Sequence, residues 1–106
     1  MASGEPVGVV DFAYLEGFAA GDKTVVREVL SLFREQAEGW VKGLDPADPG
    51  WRDVVHTIKG AARGIGANAL GDVCAKAEIE GDSQLPAVRS ALEAAVAEIT
   101  AYQARG

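Results

Sequence analysis

Apolar residues recur at intervals of three and four along most of the chain, which is the spacing of one face of an α-helix. A short pattern predicts a first helix that ends at Gly21, with apolar positions Phe12, Leu15, Phe18 and Ala19. Asp22 is placed to cap a long second helix, whose apolar face consists of Val26, Val29, Leu30, Phe33, Ala37, Trp40, Val41 and Leu44. Val25 and Leu32 fall outside this face. We expect them to be buried against the first helix, with partner binding as the alternative.

Three further helices follow. Asp48 and Pro49 are typical of an N-cap and a first helical position, and the third helix then carries Trp51, Val54, Val55, Ile58, Ala61, Ala62 and Ile65. It is expected to stop near residues 64–66. The fourth helix runs to Gly81 and carries Leu70, Val73, Cys74 and Ala77. Asp82 or Ser83 caps the last helix, whose apolar seam is Leu85, Val88, Leu92, Ala95, Ile99 and Tyr102.

The order of these elements predicts an all-α fold. No segment alternates apolar and polar residues in the manner of a strand, and no solenoid repeat is present. Four main helices joined by short connections favour an antiparallel, up-and-down four-helix bundle with a short extra N-terminal helix. We expect residues 1–106 to form a single domain.

Composition narrows the possible functions. The 106 residues include 48% hydrophobic residues, enough for one core. The formal net charge of −6 argues against a nucleic-acid partner, which would require a basic patch. A single cysteine cannot form an internal disulfide, and no apolar run approaches the roughly 20 residues of a membrane span. Because the N-terminus does not resemble a signal peptide, we expect a cytoplasmic protein without membrane association.

The only histidine, His56, lies roughly 150° from the centre of the apolar stripe of the third helix, so it is expected to face solvent. Lys59 and Arg63 flank it, and Gly60 follows one turn later. A glycine inside a helix costs about 0.5–1 kcal/mol relative to alanine. Close approach of a partner would explain both Gly60 and Gly64 on this face. An exposed imidazole beside two cations is suited to accept and pass on a phosphoryl group.

Residues 56–78 read HTIKGAARGIGANALGDVCAKAE. This run resembles the signature of histidine-containing phosphotransfer (HPt) domains of multistep bacterial phosphorelays, in which a histidine precedes a hydrophobic residue, lysine and glycine. The positions that carry the resemblance are His56, Ile58, Lys59, Gly60, Ala61, Gly66, Ala67, Leu70, Cys74 and Glu78. Family members often have serines after the glycine and an asparagine further on, where this chain has Ala61, Ala62 and Gly64.

The resemblance implies a four-helix bundle whose histidine relays a phosphoryl group between aspartates of receiver domains. The partners are then receiver domains of response regulators and of hybrid histidine kinases. The resemblance also implies that the receiver brings Mg²⁺, and we expect this chain to need no cofactor or metal of its own. Docking is expected through an apolar patch, here the first helix with Phe12, Leu15 and Phe18, together with exposed parts of the second.

The candidate site residues could also have ordinary structural or surface roles. His56 is the expected nucleophile, and Lys59 is expected to stabilise charge on the phosphoryl oxygens, unless it is an ordinary solvated lysine. The family commonly has Gln or Glu at the position of Glu78, touching the imidazole, although Glu78 could instead pair with Lys59 or Lys76. Arg63 is expected to meet the phosphoryl group or an acidic partner, with an ordinary surface arginine equally open.

Two other functional classes remain as alternatives. Without a glycine-rich phosphate loop and its lysine, the chain is not expected to bind ATP or phosphorylate itself, so it would be a phosphoryl-transfer intermediate without kinase activity. One alternative is a non-catalytic helical adaptor in which His56 is incidental. The other is the dimerisation domain of a histidine kinase, which needs two histidine-bearing helices per dimer; four complete helices favour a monomer. Cys74, on the apolar stripe, is expected to be buried rather than reactive.

Overall fold

The computed structural model describes residues 10–105 and contains, in that range, five α-helices and no strands. The helices are α1 (Phe12–Phe18), α2 (Lys23–Gly43), α3 (Trp51–Gly64), α4 (Asn68–Glu80) and α5 (Leu85–Arg105). Helices α2 to α5 pack against each other in chain order, and α5 returns to pack on α2. The predicted antiparallel four-helix bundle with a short N-terminal helix is therefore confirmed. None of these helices is both long and apolar enough to cross a membrane.

The core is built from the stripes that the sequence pattern predicts. Burial of such apolar side chains is the main favourable term in folding. The largest fully buried side chains are Leu15, Leu30, Ile58, Leu70, Leu85, Leu92, Ile99, Val55, Val88 and Cys74. On α3, Val54 and Ala61 are only partly buried and line the edge of the core. Each bundle helix thus leaves its opposite face free for solvent or for a partner.

The predicted start of α3 is wrong, whereas that of α2 is confirmed. The Asp22 carboxylate accepts hydrogen bonds from two backbone N–H groups in the first turn of α2. The Asp48 carboxylate instead accepts from the backbone N–H of Gly50 at 2.8 Å, inside the preceding turn. Helix α3 therefore begins at Trp51. Aspartate side chains bond to nearby backbone in turns as readily as at helix starts, which is the competing effect here.

The capping predicted for α5 is also wrong. Neither Asp82 nor Ser83 caps the helix, because residues Asp82–Gln84 form a turn of 3-10 helix that leads directly into Leu85. The end of α4 agrees with prediction, since Gly81 adopts a φ of +100° immediately after Glu80. A tight 3-10 turn is a common connector where a chain reverses between two helices.

Helix α1 closes one end of the bundle. The backbone N–H of Asp11 donates to the carbonyl of Gly66, in the α3–α4 connection, at 2.9 Å. Gly66 has a φ of +84°, and a Cβ atom there would lie 2.8 Å from the Asp11 carbonyl oxygen, so glycine is required. The Phe12 ring stacks on Tyr102 of α5 with 4.0 Å between ring centroids. These contacts fix α1 across the ends of α3 and α5.

The expectation that Val25 and Leu32 are buried is wrong, because both side chains are exposed. Helix α1 contains seven residues and is therefore about 10 Å long. It lies across the end of the bundle and does not cover the length of α2. Partner binding, the alternative for these two residues, remains open.

Candidate functional site

His56 lies in the middle of α3 with its imidazole in solvent. Its side chain is 72% exposed, whereas Val55 and Ile58, on the opposite face of the helix, are fully buried. The exposed position predicted from the helical spacing is therefore confirmed. Because the helix backbone below the ring is anchored in the core, the ring is presented from a rigid element.

Packing of α3 against α4 brings Glu78 to the histidine. Nδ1 of His56 lies 2.9 Å from Oε2 of Glu78. The other carboxylate oxygen, Oε1, accepts a hydrogen bond from the ammonium of Lys59. Contact with His56 and a salt bridge to Lys59 were alternatives in the sequence, and the structure contains both on a single carboxylate. Lys76 is exposed on α4.

The Lys59–Glu78 ion pair determines which ring nitrogen of His56 carries the hydrogen. The hydrogen bond from Lys59, and then that from His56, hold the pKa of the Glu78 carboxyl below its ordinary value. An ionised carboxylate can only accept hydrogen bonds, so Nδ1 carries the hydrogen and donates it. In a neutral imidazole, Nε2 then keeps its lone pair. The nitrogen that faces away from α4 is thus the one able to act as a nucleophile.

Gly60 leaves open space on the outer face of α3. No described atom outside its own helix turn lies within 4 Å of the position that a Cβ would occupy. The same holds for Gly64, one turn further on. Neither glycine is therefore required by packing inside the bundle, and both make the surface beside His56 flat.

Arg63 makes its contacts with α4. A Cβ atom at Gly71 would lie 3.0 Å from Cγ of Arg63, so the arginine stem packs directly over that glycine. The guanidinium group approaches the Asp72 carboxylate at 3.8 Å. In this conformation Arg63 links α3 to α4, and a role toward a phosphoryl group or an acidic partner stays a prediction.

Cys74 lies near the Lys59–Glu78 ion pair and is fully buried, as the sequence predicts. Burial raises the pKa of its thiol to about 11, and the nearby Glu78 carboxylate adds to the increase. Only the thiolate is nucleophilic, so the native thiol is inert at neutral pH.

We expect Cys74 to resist disulfide-forming thiol reagents at pH 8 until the protein unfolds. A rise in thiol pKa from 9.0 to about 11 lowers the thiolate fraction about a hundredfold, and burial blocks access as well. Absorbance-monitored labelling of native and urea-unfolded protein tests this. Equal labelling rates for the two states would contradict the buried position.

Ile79 is an apolar residue that sequence reasoning did not single out. It follows Glu78 directly and is 85% exposed, more than the other large exposed hydrophobic side chains. In the sequence, Ile79 could be identified from its position outside the apolar stripe of α4, on the same turn as the residue that contacts His56. An isolated exposed isoleucine is common, but this one lies next to the site.

Leu32 on α2 is a second exposed apolar residue near α3. Eleven residues correspond to about three turns, so Leu32 lies on the same side of α2 as Gly43. A Cβ atom at Gly43 would lie 2.8 Å from Cγ2 of Val54 on α3, so this side of α2 faces α3. The exposed side chain of Leu32 therefore lies on the side of α2 that faces α3.

The fold and the site define a helical bundle that presents one histidine to solvent, with a carboxylate on one ring nitrogen and no partner from residues 10–105 on the other. This is the arrangement of a histidine phosphotransfer protein. Residues 26–104 match the family model of the Hpt domain, and the chain belongs to that family.

A solved structure agrees with this membership. The chain is 59% identical in sequence to the histidine phosphotransferase ShpA from Caulobacter crescentus, whose crystal structure was determined at 1.52 Å resolution. The two structures align with a TM-score of 0.84 over 92% of this chain and 93% of ShpA. Comparison with curated protein sequences gave no match. The chain therefore has a histidine phosphotransfer function in a phosphorelay, and Hpt domains of phosphorelays interact with receiver domains.

Proposed function

We propose that His56 is the phosphoryl-accepting residue and that its Nε2 atom forms the bond to phosphorus. The observation that carries this proposal is the contact of 2.9 Å between Nδ1 and the Glu78 carboxylate. It occupies one ring nitrogen, and no described residue makes a hydrogen bond to the other, Nε2. His56 is also the only histidine in the sequence.

In the proposed step, the lone pair on Nε2 attacks the phosphorus of an aspartyl phosphate on a receiver domain. The N–P bond forms while the bond from phosphorus to the aspartate oxygen breaks, and the aspartate leaves as a carboxylate. The ring keeps its Nδ1 hydrogen and acquires positive charge, which the adjacent Glu78 carboxylate stabilises. Transfer to a second receiver reverses these changes.

The remaining features of the proposal concern partners. We propose receiver domains of response regulators and of hybrid histidine kinases as donors and acceptors, with the divalent cation supplied by the receiver. The chain is proposed to act as a cytoplasmic monomer that transfers the phosphoryl group without kinase activity and without binding nucleic acid or membranes. Its net charge of −6 supports the absence of a nucleic-acid partner.

The direct test is to incubate the protein with a phosphorylated receiver domain and Mg²⁺ and to map the product by mass spectrometry. We expect one acid-labile, base-stable phosphate on His56, with the phosphorus on Nε2 by nuclear magnetic resonance. Phosphate on another residue would contradict the proposal. A receiver that binds without any transfer would instead favour the adaptor alternative.

We propose that the receiver docks over the outer face of α3, in a strip that runs from Leu32 on α2 across Gly60 and Gly64 to Ile79 on α4. We call this strip the docking face. Glycines keep its centre flat, and exposed apolar side chains lie at both ends. A few large side chains commonly carry most of the binding energy of a protein interface.

The burial of side chains on α1 changes which of them can contact a receiver. Leu15 is only 1% exposed, so it packs in the core and cannot contact a receiver directly. The interpretation of Leu15 as a docking residue is wrong. Phe18 is exposed and remains available at the end of the bundle.

We expect Leu32→Ala and Ile79→Ala each to weaken binding of a cognate receiver by about tenfold, the effect of removing one significant apolar contact. Both side chains are exposed, so the free energy of unfolding should change by no more than about 0.5 kcal/mol. Calorimetric titration with the receiver and urea unfolding measure the two quantities.

Thr100→Ala is the matched control. Thr100 is exposed on α5, the helix that packs on α2 and α4 rather than on α3. Its affinity for the receiver should equal that of the wild type. If the α5 variant weakens binding and the two docking-face variants do not, the receiver docks on another side of the bundle.

A further inference from the structure

Arg63 is a cation on the outer side of α3 that the proposed transfer step does not use. It follows His56 by seven residues, which is about two helical turns, so the two side chains lie on nearly the same line along the helix. Its stem packs over Gly71 of α4, where a Cβ atom would lie 3.0 Å from Cγ and 3.1 Å from Nε of the arginine. Arg63 therefore lies on the α4 side of the docking face.

The guanidinium group of Arg63 is available to a partner. It carries five N–H donors, and no residue of 10–105 accepts a hydrogen bond from it. The Asp72 carboxylate is 3.8 Å away, and the side chains of Arg63 and Asp72 are 50% and 79% exposed. An exposed ion pair of this kind contributes little to stability. The arginine is thus held by its stem, while its charged end keeps its capacity to bind an acceptor.

The position of the guanidinium group excludes contact with a phosphoryl group on His56 in this conformation. Gly71 and Asp72 precede Glu78, the residue that contacts His56, by about two turns of α4, or about 10 Å. That separation is several times the length of a hydrogen bond, about 3 Å. Of the two roles that the sequence leaves open for Arg63, the geometry supports contact with an acidic partner.

We propose that Arg63 is a specificity-determining residue that binds a carboxylate of the receiver, about 10 Å from the site of phosphoryl transfer. A guanidinium group only donates, and its planar shape matches a carboxylate through two parallel hydrogen bonds. An Asp or Glu is therefore the receiver side chain that it selects. Because the whole chain has a net charge of −6, an acidic group on the receiver is repelled over most of the surface and attracted at this position.

Gly71 is the positioning residue for this contact. Glycine disfavours the interior of a helix, and the close approach of the Arg63 stem accounts for a glycine at this position of α4. Without a Cβ at Gly71, the stem lies directly against α4 and extends along the docking face. The inference rests on the proposed docking of a receiver over that face.

Steady-state transfer measures the contribution of this contact, with the phosphorylated receiver that transfers fastest to the wild-type protein in a panel. We expect Arg63→Ala to raise KM about tenfold, the effect of losing one significant interface contact. The kcat should be unchanged, because the arginine does not touch the phosphoryl group. Labelling of His56 by phosphoramidate, which needs no docking, should keep its wild-type rate. A lower kcat or slower labelling by phosphoramidate would overturn the inference.

A charge swap identifies the carboxylate on the receiver. Arg63→Glu should lower kcat/KM more than Arg63→Ala does, because it places like charges opposite each other. Acidic residues of the receiver around its phosphorylatable aspartate, except those that hold the divalent cation, are then replaced by lysine one at a time. One of these receiver variants should restore transfer to Arg63→Glu. If none restores it, no receiver carboxylate meets this arginine and the inference fails.

Arg27→Glu is the matched control for total charge. Arg27 is exposed on α2, and its backbone carbonyl accepts a hydrogen bond from Gln103 of α5, the helix that packs on α2 and α4 rather than on α3. The substitution makes the same change in charge as Arg63→Glu but should leave KM near the wild-type value. An equal rise in KM for both variants would assign the effect to total charge and overturn the inference.

A double-mutant cycle tests the positioning role of Gly71. Gly71→Ala displaces the stem of Arg63 and should raise KM by less than Arg63→Ala does, without changing kcat. In the Arg63→Ala background the same substitution should have no effect, because no stem remains to be displaced. Equal effects in both backgrounds would show that the glycine acts on the structure of α4 and not through the arginine.

These outcomes are separable from failure of the proposed function. If Leu32→Ala, Ile79→Ala and Arg63→Ala all leave receiver binding unchanged, the proposed docking face fails as a whole. If the two apolar variants weaken binding and Arg63→Ala does not, only the role of Arg63 fails.

Discussion

Replacing His56 with glutamine is expected to abolish phosphoryl acceptance while leaving the fold intact. Glutamine is polar and flexible, but its amide nitrogen has no lone pair available for attack on phosphorus. The side chain of His56 is 72% exposed, and its loss leaves Lys59 bonded to Glu78. The free energy of unfolding should therefore change by no more than about 0.5 kcal/mol.

Transfer of radiolabelled phosphate from a receiver domain and urea unfolding measure the two effects. Thr57→Ala is the neighbouring control, because Thr57 is exposed on the same helix and has no part in the proposed chemistry. It should accept phosphate at close to the wild-type level. Persistent labelling of His56→Gln would show that another residue receives the phosphoryl group.

The buried face of each helix could be predicted from the sequence, because it follows from the spacing of the apolar side chains. The spacing of Leu30, Phe33 and Ala37 on α2, and of Val55, Ile58 and Ala62 on α3, predicted which faces the core would take. It also placed His56 outside. Such long periodic patterns are dominated by the free energy of apolar burial, which averages over many residues.

The helix starts were less predictable because local hydrogen bonds compete there. Asp48 fits either an N-cap or a turn, and the structure uses it in the turn with Gly50. The exposure of Leu32 depends on where α1 lies across the end of the bundle. That position is set by tertiary contacts such as the one between Asp11 and Gly66, which periodicity does not contain.

The site was predictable as residue types but not as a set of contacts. Glu78 lies nineteen and twenty-two positions from Lys59 and His56, so its partner depends on the relative shift of α3 and α4. The sequence pattern presents the two contacts of Glu78 as alternatives, although a carboxylate has two oxygens and can accept from both partners. Ile79 is not predictable as a site residue, because a single exposed apolar residue carries little signal in a sequence.

Replacing Gly60 with leucine is expected to block transfer from a receiver while the protein becomes no less stable. Glycine disfavours helix by about 0.5–1 kcal/mol relative to alanine. A Cβ at this position meets no described atom outside its own helix turn within 4 Å, so the larger side chain causes no clash inside the bundle. It occupies instead the surface beside His56 over which the receiver must approach. Stability and transfer should therefore change in opposite directions.

A small phosphoryl donor distinguishes blocked access of the receiver from a loss of reactivity at His56. Phosphoramidate needs no docking, so Gly60→Leu should still be labelled on His56 by this compound even though a phosphorylated receiver labels it poorly. Gly17→Leu introduces the same side chain at another open glycine, on α1 at the end of the bundle, and should transfer almost normally. Gly60→Ala should have an intermediate effect, because one methyl group fills less of the gap. If Gly60→Leu exchanges phosphate with the receiver at the wild-type rate, the receiver does not approach over this face. Access of the receiver then does not explain why glycine occupies this position.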